Sequence, residues 1–369
     1  GYRADGNCRA CMVEIEGERL LAASCIRKPA DGMVVNTASE RAKKSRELVF
    51  ELLVADQPKR EVAHDPESKF WHWASDIGVT GSRFPPGAAI APDSSHSAMR
   101  VNLDACINCT LCVRACREVQ VNDVIGMAFR GAHAKVIFDF DDPMGESTCV
   151  ACGECVQACP TGALMEASLL DETGVRTEFE EKTVDSLCPF CGVGCQTSVH
   201  VKDNRILYVD GRDGPANEQR LCVKGRFGYD YITHPNRLTK PLIRRDDAPK
   251  DWRMELRDGD WSAVFREATW EEALDRAAAG LKTVLDRDGP AATAGFGSAK
   301  CSNEEAYLFQ KLIRTGFHTN NVDHCTRLCH ASSVAGLMEG IGSGAVTAPF
   351  TAADDAECII VIGARPTQN

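Results

Sequence analysis

Apolar and polar residues alternate near the start of the chain in a pattern that predicts a β-strand. Val13 and Ile15 alternate with Glu14 and Glu16, which is the period of a half-buried strand. The run Glu16-Gly17-Glu18 indicates the turn before the next strand. The beginning of the chain is therefore expected to form a small β-rich module.

The first helical pattern runs from Ser39 to Ala55. Ser39 is placed to cap the helix and Pro58 to end it. The predicted apolar face consists of Ala42, Val49, Leu52 and Leu53. A packing role is sufficient to explain this helix.

Two more regular helix patterns lie in the second half of the chain. Thr269-Trp-Glu-Glu272 is a capping box, and Gly289-Pro290 ends the helix that it opens. Its predicted apolar face consists of Leu274, Ala277, Leu281 and Val284. Ser302-Asn-Glu-Glu305 opens another helix that Gly316 ends, with apolar residues Tyr307, Leu308 and Leu312.

Glycine-rich strand ends predict an α/β domain around these helices. Thr293–Ser298 has the composition of a strand tip, and Cys358–Gly363 is predicted as a buried parallel strand. Strand tips with glycine hold nucleotides in many α/β folds, although such turns also occur for purely structural reasons. Gly297, Ser298 and Gly363 are therefore candidate cofactor contacts.

Composition and charge limit the classes of function that are expected. The chain has 369 residues and a net charge of −11, so several domains are expected and nucleic acid or an anionic membrane is not an expected partner. No apolar run approaches the roughly 20 residues that span a bilayer. Ten of the 19 cysteines stand in C-x2-C spacing, which favours metal ligation in a reducing compartment over disulfides. We therefore predict a cytoplasmic, metal-binding protein.

Two cysteine runs between residues 99 and 170 have the spacing of a two-cluster bacterial ferredoxin. Each run is C-x2-C-x2-C-x3-C, and in this pattern the fourth cysteine ligates the other cluster. One [4Fe-4S] cluster is therefore assigned to Cys106, Cys109, Cys112 and Cys159. The other is assigned to Cys149, Cys152, Cys155 and Cys116. Between the runs, Val136–Phe140 is predicted as an inserted strand.

A third set of cysteines marks the junction between the two halves. Its spacing, C-x2-C-x3-C-x26-C, can close on one [4Fe-4S] cluster, held by Cys188, Cys191, Cys195 and Cys222. Lys224 would place a fixed positive charge beside that cluster. A structural zinc site is the alternative, and the iron-type spacing upstream favours iron.

The first three cysteines, Cys8, Cys11 and Cys25, are one short of a four-thiolate [2Fe-2S] site. The missing ligand is expected upstream of Gly1. With that addition the segment resembles the plant-ferredoxin-like module at the start of the large iron–sulfur subunit of complex I and of NAD-linked hydrogenases and formate dehydrogenases. A zinc site or three unligated thiols is the alternative.

The segment from Lys59 to His96 contains no cysteine. Complex I relatives often carry a cluster held by one histidine and three cysteines in this region, and the thiols for it are missing. His64, His72 and His96 are therefore expected on the surface or in the core. Trp71 and Trp73 are expected to be core or interface anchors.

The segment Asn320–Ser333 carries the candidate reaction chemistry. An Asn-Asn-Val-Asp run precedes Cys325 and the adjacent pair Cys329-His330. From Cys188 onward the chain resembles the molybdenum or tungsten bis-pterin oxidoreductases, most closely formate dehydrogenase. That resemblance implies that Cys329 binds the metal and His330 is the active-site base.

The resemblance extends to nearby residues. Lys224 matches the lysine between the cluster and the nearer pterin, and Ser298–Glu304 matches a segment near the pterin, which adds Asn303 to the candidate contacts. Cys301 and Cys325 are not expected to bind the metal. The family's catalytic arginine is expected beyond Asn369, so the chain is expected to be truncated at both ends.

The resemblance implies a formate dehydrogenase that oxidises formate reversibly to carbon dioxide. Its cofactors would be a bis-molybdopterin guanine dinucleotide with Mo or W, three [4Fe-4S] clusters and one [2Fe-2S] cluster. Electrons would pass through the clusters to a partner iron–sulfur subunit of complex I type that binds FMN and NAD. A G-x-G-x-x-G fingerprint is missing from this sequence, which supports placing the NAD site elsewhere. A soft thiolate suits such a metal, and a histidine can hold a proton near neutral pH.

Two other functions remain open. A nitrate reductase typically has Met after the ligand Cys, and His330 speaks against it. A non-catalytic electron-transfer subunit of complex I or hydrogenase type would match residues 1–170, and some such subunits keep a vestigial version of the later domain. In those, the Cys-His pair need not bind a metal.

The expected fold is a multidomain α+β and α/β protein with five parts. These are a β-grasp [2Fe-2S] ferredoxin-like module (1–38), a helix and linker without a cluster (39–98), a two-[4Fe-4S] ferredoxin domain (99–170), the [4Fe-4S] domain of a bis-pterin oxidoreductase (180–240) and the beginning of an α/β molybdopterin-binding catalytic domain (241–369).

Overall fold

The structure is a computed structural model that describes residues 4–251, 261–345 and 347–363. Its contacts divide the chain into two units. Of the described residues, the first unit comprises 4–187 and Cys195–Tyr229, and the second comprises Cys188–Gly194 and those between Asp230 and Gly363. No helix among the described residues is long and apolar enough to cross a bilayer.

The first unit begins with a small antiparallel sheet. Strand β1 (Met12–Ile15) lies between β2 (Ala22–Ala23) and β3 (Val35–Asn36). Val13 and Ile15 are buried, as their alternation with glutamates predicts. Gly17 has a φ of +81° at the turn after β1, a conformation that glycine adopts without strain.

Two helices follow, α1 (Glu40–Ala55) and α2 (Lys69–Ile77). The Ser39 hydroxyl accepts a hydrogen bond from the Ala42 amide at 3.3 Å, so the predicted cap is present. The predicted apolar face of α1 is only partly correct, because Leu52 is exposed whereas Phe50 and Val54 are buried.

The partner helix explains the difference in α1. Phe70 of α2 is fully buried and stacks on Phe50 with ring centroids 5.8 Å apart. The tertiary contact therefore selects the buried side of α1. Trp71 is buried beside Phe70, as an anchor would be, whereas Trp73 is 45% exposed. Among the histidines of this region, His64 is buried and His72 is exposed.

Two antiparallel strand pairs form the next part of the first unit. Strand β4 (Met99–Val101) pairs with β7 (Leu164–Glu166), and β5 (Ile125–Ala128) pairs with β6 (Lys135–Phe138). Strand β6 contains most of the predicted inserted strand, but Phe140 lies outside it and is exposed. The short helices α3 (Leu111–Arg114) and α4 (Glu154–Ala158) follow the cysteine loops. Buried apolar residues of these elements form one core.

A three-stranded antiparallel sheet completes the first unit. Strand β9 (Gln196–Lys202) lies between β8 (Lys182–Leu187) and β10 (Arg205–Gly211). Helix α5 (Val223–Phe227) follows, with Cys222 at its N-cap. Strand β8 ends directly before Cys188, and β9 begins directly after Cys195.

The described part of the second unit contains two separate strand pairs. Strand β11 (Leu242–Arg244) is antiparallel to β12 (Phe265–Glu267), and β13 (Gly295–Gly297) is parallel to β14 (Val322–His324). The helices of this unit are α6 (Trp270–Asp288), α7 (Asn303–Lys311), α8 (Thr326–Cys329) and α9 (Ala331–Ile341).

The predicted N-caps of α6 and α7 are present, but the complete capping box predicted for both helices forms only at α7. Ser302 and Glu305 form a reciprocal capping box at the start of α7. Thr269 accepts from the Glu272 amide at 3.2 Å at the start of α6, while the Glu272 carboxylate binds Arg266. No residue of either helix is buried.

The predicted buried strand at Cys358–Gly363 is wrong for the described structure. Residues 358–362 have no regular secondary structure, and Ile359, Ile360, Val361 and Ile362 are all more than half exposed. A parallel strand needs neighbours on its edges and layers on its faces. No described strand pairs with this segment.

Candidate cluster and cofactor sites

Four cysteines of the first unit face one cavity. Its lining includes Cys106, Cys109, Cys112 and Cys159 together with apolar residues such as Val136 and Leu164. Cys159 comes from the second cysteine run, so the fold brings together the set that ferredoxin spacing assigns to one cluster. Burial raises the pKa of each of the other three thiols, and the nearby charge of Cys159 raises it further.

The complementary set is also brought together within the first unit. Cys116 helps to raise the pKa values of Cys149, Cys152 and Cys155. Cys116 is buried, and its sulfur accepts a hydrogen bond from the Val124 amide at 3.3 Å. The crossed pattern of the two runs is therefore present in the fold.

The two cysteine loops have the same backbone geometry. The amide of Asn108 donates to the Cys106 sulfur at 3.4 Å, and the amide of Ala151 donates to the Cys149 sulfur at 3.4 Å. Asn108 and Ala151 both have positive φ values, 52° and 56°. Backbone amides directed at sulfur stabilise thiolates and are one of the factors that set the potentials of iron–sulfur clusters.

Burial makes these thiols hard to ionise on their own. It raises the pKa of Cys106 to about 12 and that of Cys152 to about 11. A bound metal removes that penalty, since a coordinating thiol is deprotonated outright. No three His, Cys, Asp or Glu side chains of the described residues are placed to hold a single metal ion. The four cysteines of the first set line one small cavity, and four cysteine thiolates are the donor set of a [4Fe-4S] cluster.

The three amino-terminal cysteines also lie together. Burial opposes ionisation of Cys11, but hydrogen bonds from the backbone and thiol of Cys25 lower its pKa below the ordinary value. The same side-chain hydrogen bond, with a smaller contribution from Cys8, raises the pKa of Cys25. Cys8 and Cys25 are exposed, so this site is open to solvent, unlike the two inner sets.

The set at the centre of the chain is distributed over both units. Cys195 and Cys222 belong to the first unit, and Cys188 and Cys191 belong to the second. All four are partly buried. Lys224 lies on the first turn of α5, two residues after Cys222.

The candidate cofactor residues of the second unit gather at the carboxyl ends of β13 and β14. Gly297 is in register with His324, so the loops that follow both strands begin at the same edge. Ser298 follows β13, and Asn303 is the first residue of α7. The Ala299 amide donates to the Cys325 sulfur at 3.3 Å, which joins the two loops. This edge is where open α/β sheets bind cofactors.

Cys329 and His330 lie in the loop after β14. Cys329 is the last residue of α8, its amide donates to the Cys325 carbonyl at 3.1 Å, and its side chain is exposed. His330 lies at the junction of α8 and α9, and it is exposed too. The exposed thiol is a soft donor that a metal can reach. Gly363 follows the irregular segment 358–362, and no described contact places it at the β13–β14 edge.

Two arginines near the cluster loops were not selected by sequence reasoning. Arg226 is completely buried and Arg114 is nearly so. Arg114 lies two residues after Cys112, and Arg226 lies two residues after Lys224. Their positions in the motifs were a signal, but arginine is usually exposed, so burial could be known only from the fold.

Four family models match consecutive parts of the chain. They are a 2Fe-2S iron-sulfur cluster binding domain (1–40), a 4Fe-4S dicluster domain (105–163), a molybdopterin oxidoreductase Fe4S4 domain (181–234) and a molybdopterin oxidoreductase domain (237–369). The expected fold class and order of domains are therefore confirmed.

Relatives match almost the whole chain. "Probable oxidoreductase YjgC" of Bacillus subtilis is 31% identical over 98% of the chain, and a "Putative formate dehydrogenase" of Staphylococcus haemolyticus is 30% identical over 98%. The chain spans 39% of the length of each. Among solved structures, an NAD+-reducing [NiFe]-hydrogenase in the H2-reduced state aligns with 45% of the chain and 71% of its own, at 26% identity and a TM-score of 0.40.

Proposed function

Because the chain carries two molybdopterin oxidoreductase domains behind two ferredoxin-type modules, we propose that it is the catalytic chain of a formate dehydrogenase. The reaction is HCOO⁻ → CO₂ + H⁺ + 2e⁻, and it is reversible. Relatives named as formate dehydrogenases support this substrate. The proposal rests on one arrangement of the chain. The first unit brings the predicted cluster ligands together, and the later part of the chain places the exposed Cys329-His330 pair in the loop after the parallel strand β14.

The residues at the β13–β14 edge fit a pterin-held metal. Cys329 offers an accessible sulfur ligand, and Gly297, Ser298 and Asn303 lie on the loops where a nucleotide-like cofactor would be held. Gly363 is retained as a further candidate contact. When bound, a bis-molybdopterin guanine dinucleotide with Mo or W supplies the two-electron chemistry that protein side chains cannot.

His330 has a separate task in this proposal. Formate oxidation releases one proton, and an imidazole nitrogen beside the reacting carbon can accept it near neutral pH. His330 is exposed, so it can pass that proton to solvent. Its place between α8 and α9 fixes its backbone next to Cys329.

The remaining cysteine sets provide the path for electrons. Three sets would hold [4Fe-4S] clusters and the amino-terminal cysteines one [2Fe-2S] cluster, with Lys224 positioned beside the Cys222 ligand. We propose a cytoplasmic complex in which the electrons leave to a partner subunit of complex I type with FMN and NAD. The exposure of Cys8 and Cys25 supports exit at that end.

The test uses the full-length protein. Metal analysis should find about 14 irons, 3 × 4 + 2, with matching acid-labile sulfide and one Mo or W. Formate should reduce the clusters and thereby lower their visible absorption. Nitrate added to the reduced protein should not restore that absorption. Stoichiometric zinc with little sulfide would refute the clusters. Clusters that nitrate reoxidises and formate never reduces would indicate a nitrate reductase, and clusters without Mo or W would indicate an electron-transfer subunit.

A further inference from the structure

Each cysteine loop of the ferredoxin-type module is contacted by one buried arginine. Nη2 of Arg114 lies 3.5 Å from the carbonyl oxygen of Cys109, and Nε of Arg226 donates to the carbonyl oxygen of Cys152 at 3.2 Å. Cys109 and Cys152 are the second cysteines of the two loops. The arginines therefore occupy matching positions, although they come from different parts of the chain.

The two arginines connect the loops to different neighbours. Nε of Arg114 lies 3.6 Å from the carboxylate of Asp5, in the segment that leads to Cys8. The amide of Arg226 donates to the Cys222 carbonyl at 3.1 Å, at the start of α5. One arginine thus lies toward the amino-terminal cysteines, and the other lies toward Cys222.

Each arginine is buried and has at least one guanidinium nitrogen that makes no hydrogen bond. Their side chains are 11% and 0% exposed, Nη1 of Arg114 has no hydrogen-bond partner, and Nη2 of Arg226 makes no hydrogen bond but lies 3.5 Å from a carboxylate oxygen of Glu154. A charge held away from water acts on its surroundings through a low effective dielectric constant. Its field therefore extends to the neighbouring sulfurs.

The surroundings of the two arginines differ in charge. Arg226 lies 2.9 Å from an Asp210 oxygen and 3.5 Å from a Glu154 oxygen, whereas Asp5 is the carboxylate that contacts Arg114. Loss of Arg226 would leave more uncompensated negative charge beside its loop. Any effect on cluster electrostatics should therefore be larger there.

The second loop is shaped around Arg226. A Cβ added to Gly153 would lie 2.7 Å from the Cγ of Arg226, and Gly153 has a φ of +72°. Thr110, at the equivalent position of the first loop, has a φ of 62°. The first loop thus accepts a side chain where the second accepts only glycine.

We propose that Arg114 and Arg226 are matched positioning residues that raise the reduction potentials of two different [4Fe-4S] clusters. Arg114 acts on the cluster at Cys109, and Arg226 acts on the cluster at Cys152. Reduction adds one electron, [4Fe-4S]²⁺ + e⁻ → [4Fe-4S]⁺, and a buried positive charge stabilises the added negative charge. The inference rests on the clusters of the proposed function and not on its substrate.

The experiment is a redox titration followed by electron paramagnetic resonance on the full-length protein. Arg226→Gln and Arg114→Gln should each lower the potential of a different [4Fe-4S] signal. We expect at least a tenfold change in the reduction equilibrium for Arg226→Gln, about 59 mV for one electron, and a smaller change for Arg114→Gln. Iron and sulfide content should stay at the wild-type value.

Three control variants separate charge from structure. Arg226→Lys keeps the charge and should restore the potential. Asp210→Asn removes a negative charge beside the intact arginine, and it should shift the same signal upward. Arg117→Gln, next to Cys116 but 56% exposed and paired with Asp123, should shift nothing because solvent screens it.

The outcomes distinguish this inference from the proposed function. Wild-type protein without four-iron clusters would refute both. If the clusters are intact and their reduction potentials are unchanged in every variant, this inference is refuted but the proposed function is not. The inference would also be refuted if Arg226→Gln and Arg226→Lys lost iron equally and Asp210→Asn showed no upward shift of the potential. Those results would mean that Arg226 has a structural role.

Discussion

The two units differ in where their apolar side chains lie. Among the described residues, Ile243, Val264 and Ile313 are the buried aliphatic side chains of the second unit, whereas the first unit contains three buried apolar clusters. The helices α6 and α7 nevertheless form, with their caps in place. Local signals are thus sufficient to define helices, while burial depends on surfaces distant in sequence.

The same difference applies to the thiols. The first unit packs its inner cysteines into its core, whereas the second presents Cys301, Cys325, Cys329 and Cys358 at its surface. Ligands for a permanent cluster can belong to the core. A thiol that receives a large cofactor must remain reachable before the cofactor arrives.

The largest expected effect tests the exposed thiol. Cys329→Ser replaces a soft thiolate by an alcohol that is hardly ionised at neutral pH, so formate-driven reduction of an artificial acceptor should be abolished. Iron content should not change, because the cysteines proposed to hold the [4Fe-4S] clusters lie earlier in the chain and are retained. Cys325→Ser is the matched control in the same segment and should keep its Mo or W. Unchanged formate turnover in Cys329→Ser would refute the assignment of the ligand.

The difference in side-chain burial between the two units can be tested with one substitution to alanine in each unit. Phe70→Ala removes a fully buried ring and should cost about 3–5 kcal/mol in the free energy of unfolding. Leu281→Ala, at an exposed position of α6, should change it by less than about 0.5 kcal/mol. Urea unfolding followed by fluorescence would measure both. A large cost at Leu281 would show that another surface covers α6 in the full-length protein.

The acid–base role proposed for His330 gives the next effect. His330→Met should lower formate turnover by roughly 100-fold or more, the usual scale for a positioned proton acceptor. Metal content should remain at the wild-type value, because Cys329 is retained. Loss of the metal in this variant would show that His330 holds the site together instead of moving a proton.

The smallest effect concerns stability and pH in the first unit. Burial, followed by the charge of Asp210, raises the pKa of Glu166. A carboxyl whose folded pKa is raised stabilises the fold at pH values below its unfolded pKa, and the stabilisation is lost as pH rises through the folded value. Glu166→Gln should therefore be more stable than wild type at neutral pH and equal to it in acid.

A contrasting variant is available in the second unit. The side-chain hydrogen bond from Arg327 lowers the pKa of Asp323, which is only partly exposed. Its contribution is present at high pH and is lost as pH falls through the folded value. Asp323→Asn should thus show the opposite pH trend in thermal melts. The same trend in both variants would contradict the burial of Glu166.

Sequence reasoning succeeded where the signal is local. The cap at Ser302, the strand through Val13 and Ile15, and the order of domains follow from neighbouring residues or fixed spacing. The buried face of α1 could not be predicted, because Phe70, 20 residues away, selects Phe50. Arg226 was missed for the same reason, since its partners Asp210 and Glu154 come together only in the fold.

The residues Cys159 and Cys116 cross between the two cysteine loops, so neither loop contains a complete set of ligands. Each cluster would therefore tie both halves of the repeat together, as a cross-link that closes a long segment of chain does. Assembly of the pair should then be cooperative, with the second cluster entering a backbone that the first has already ordered. A chelator that removes one cluster should release the other in the same kinetic phase.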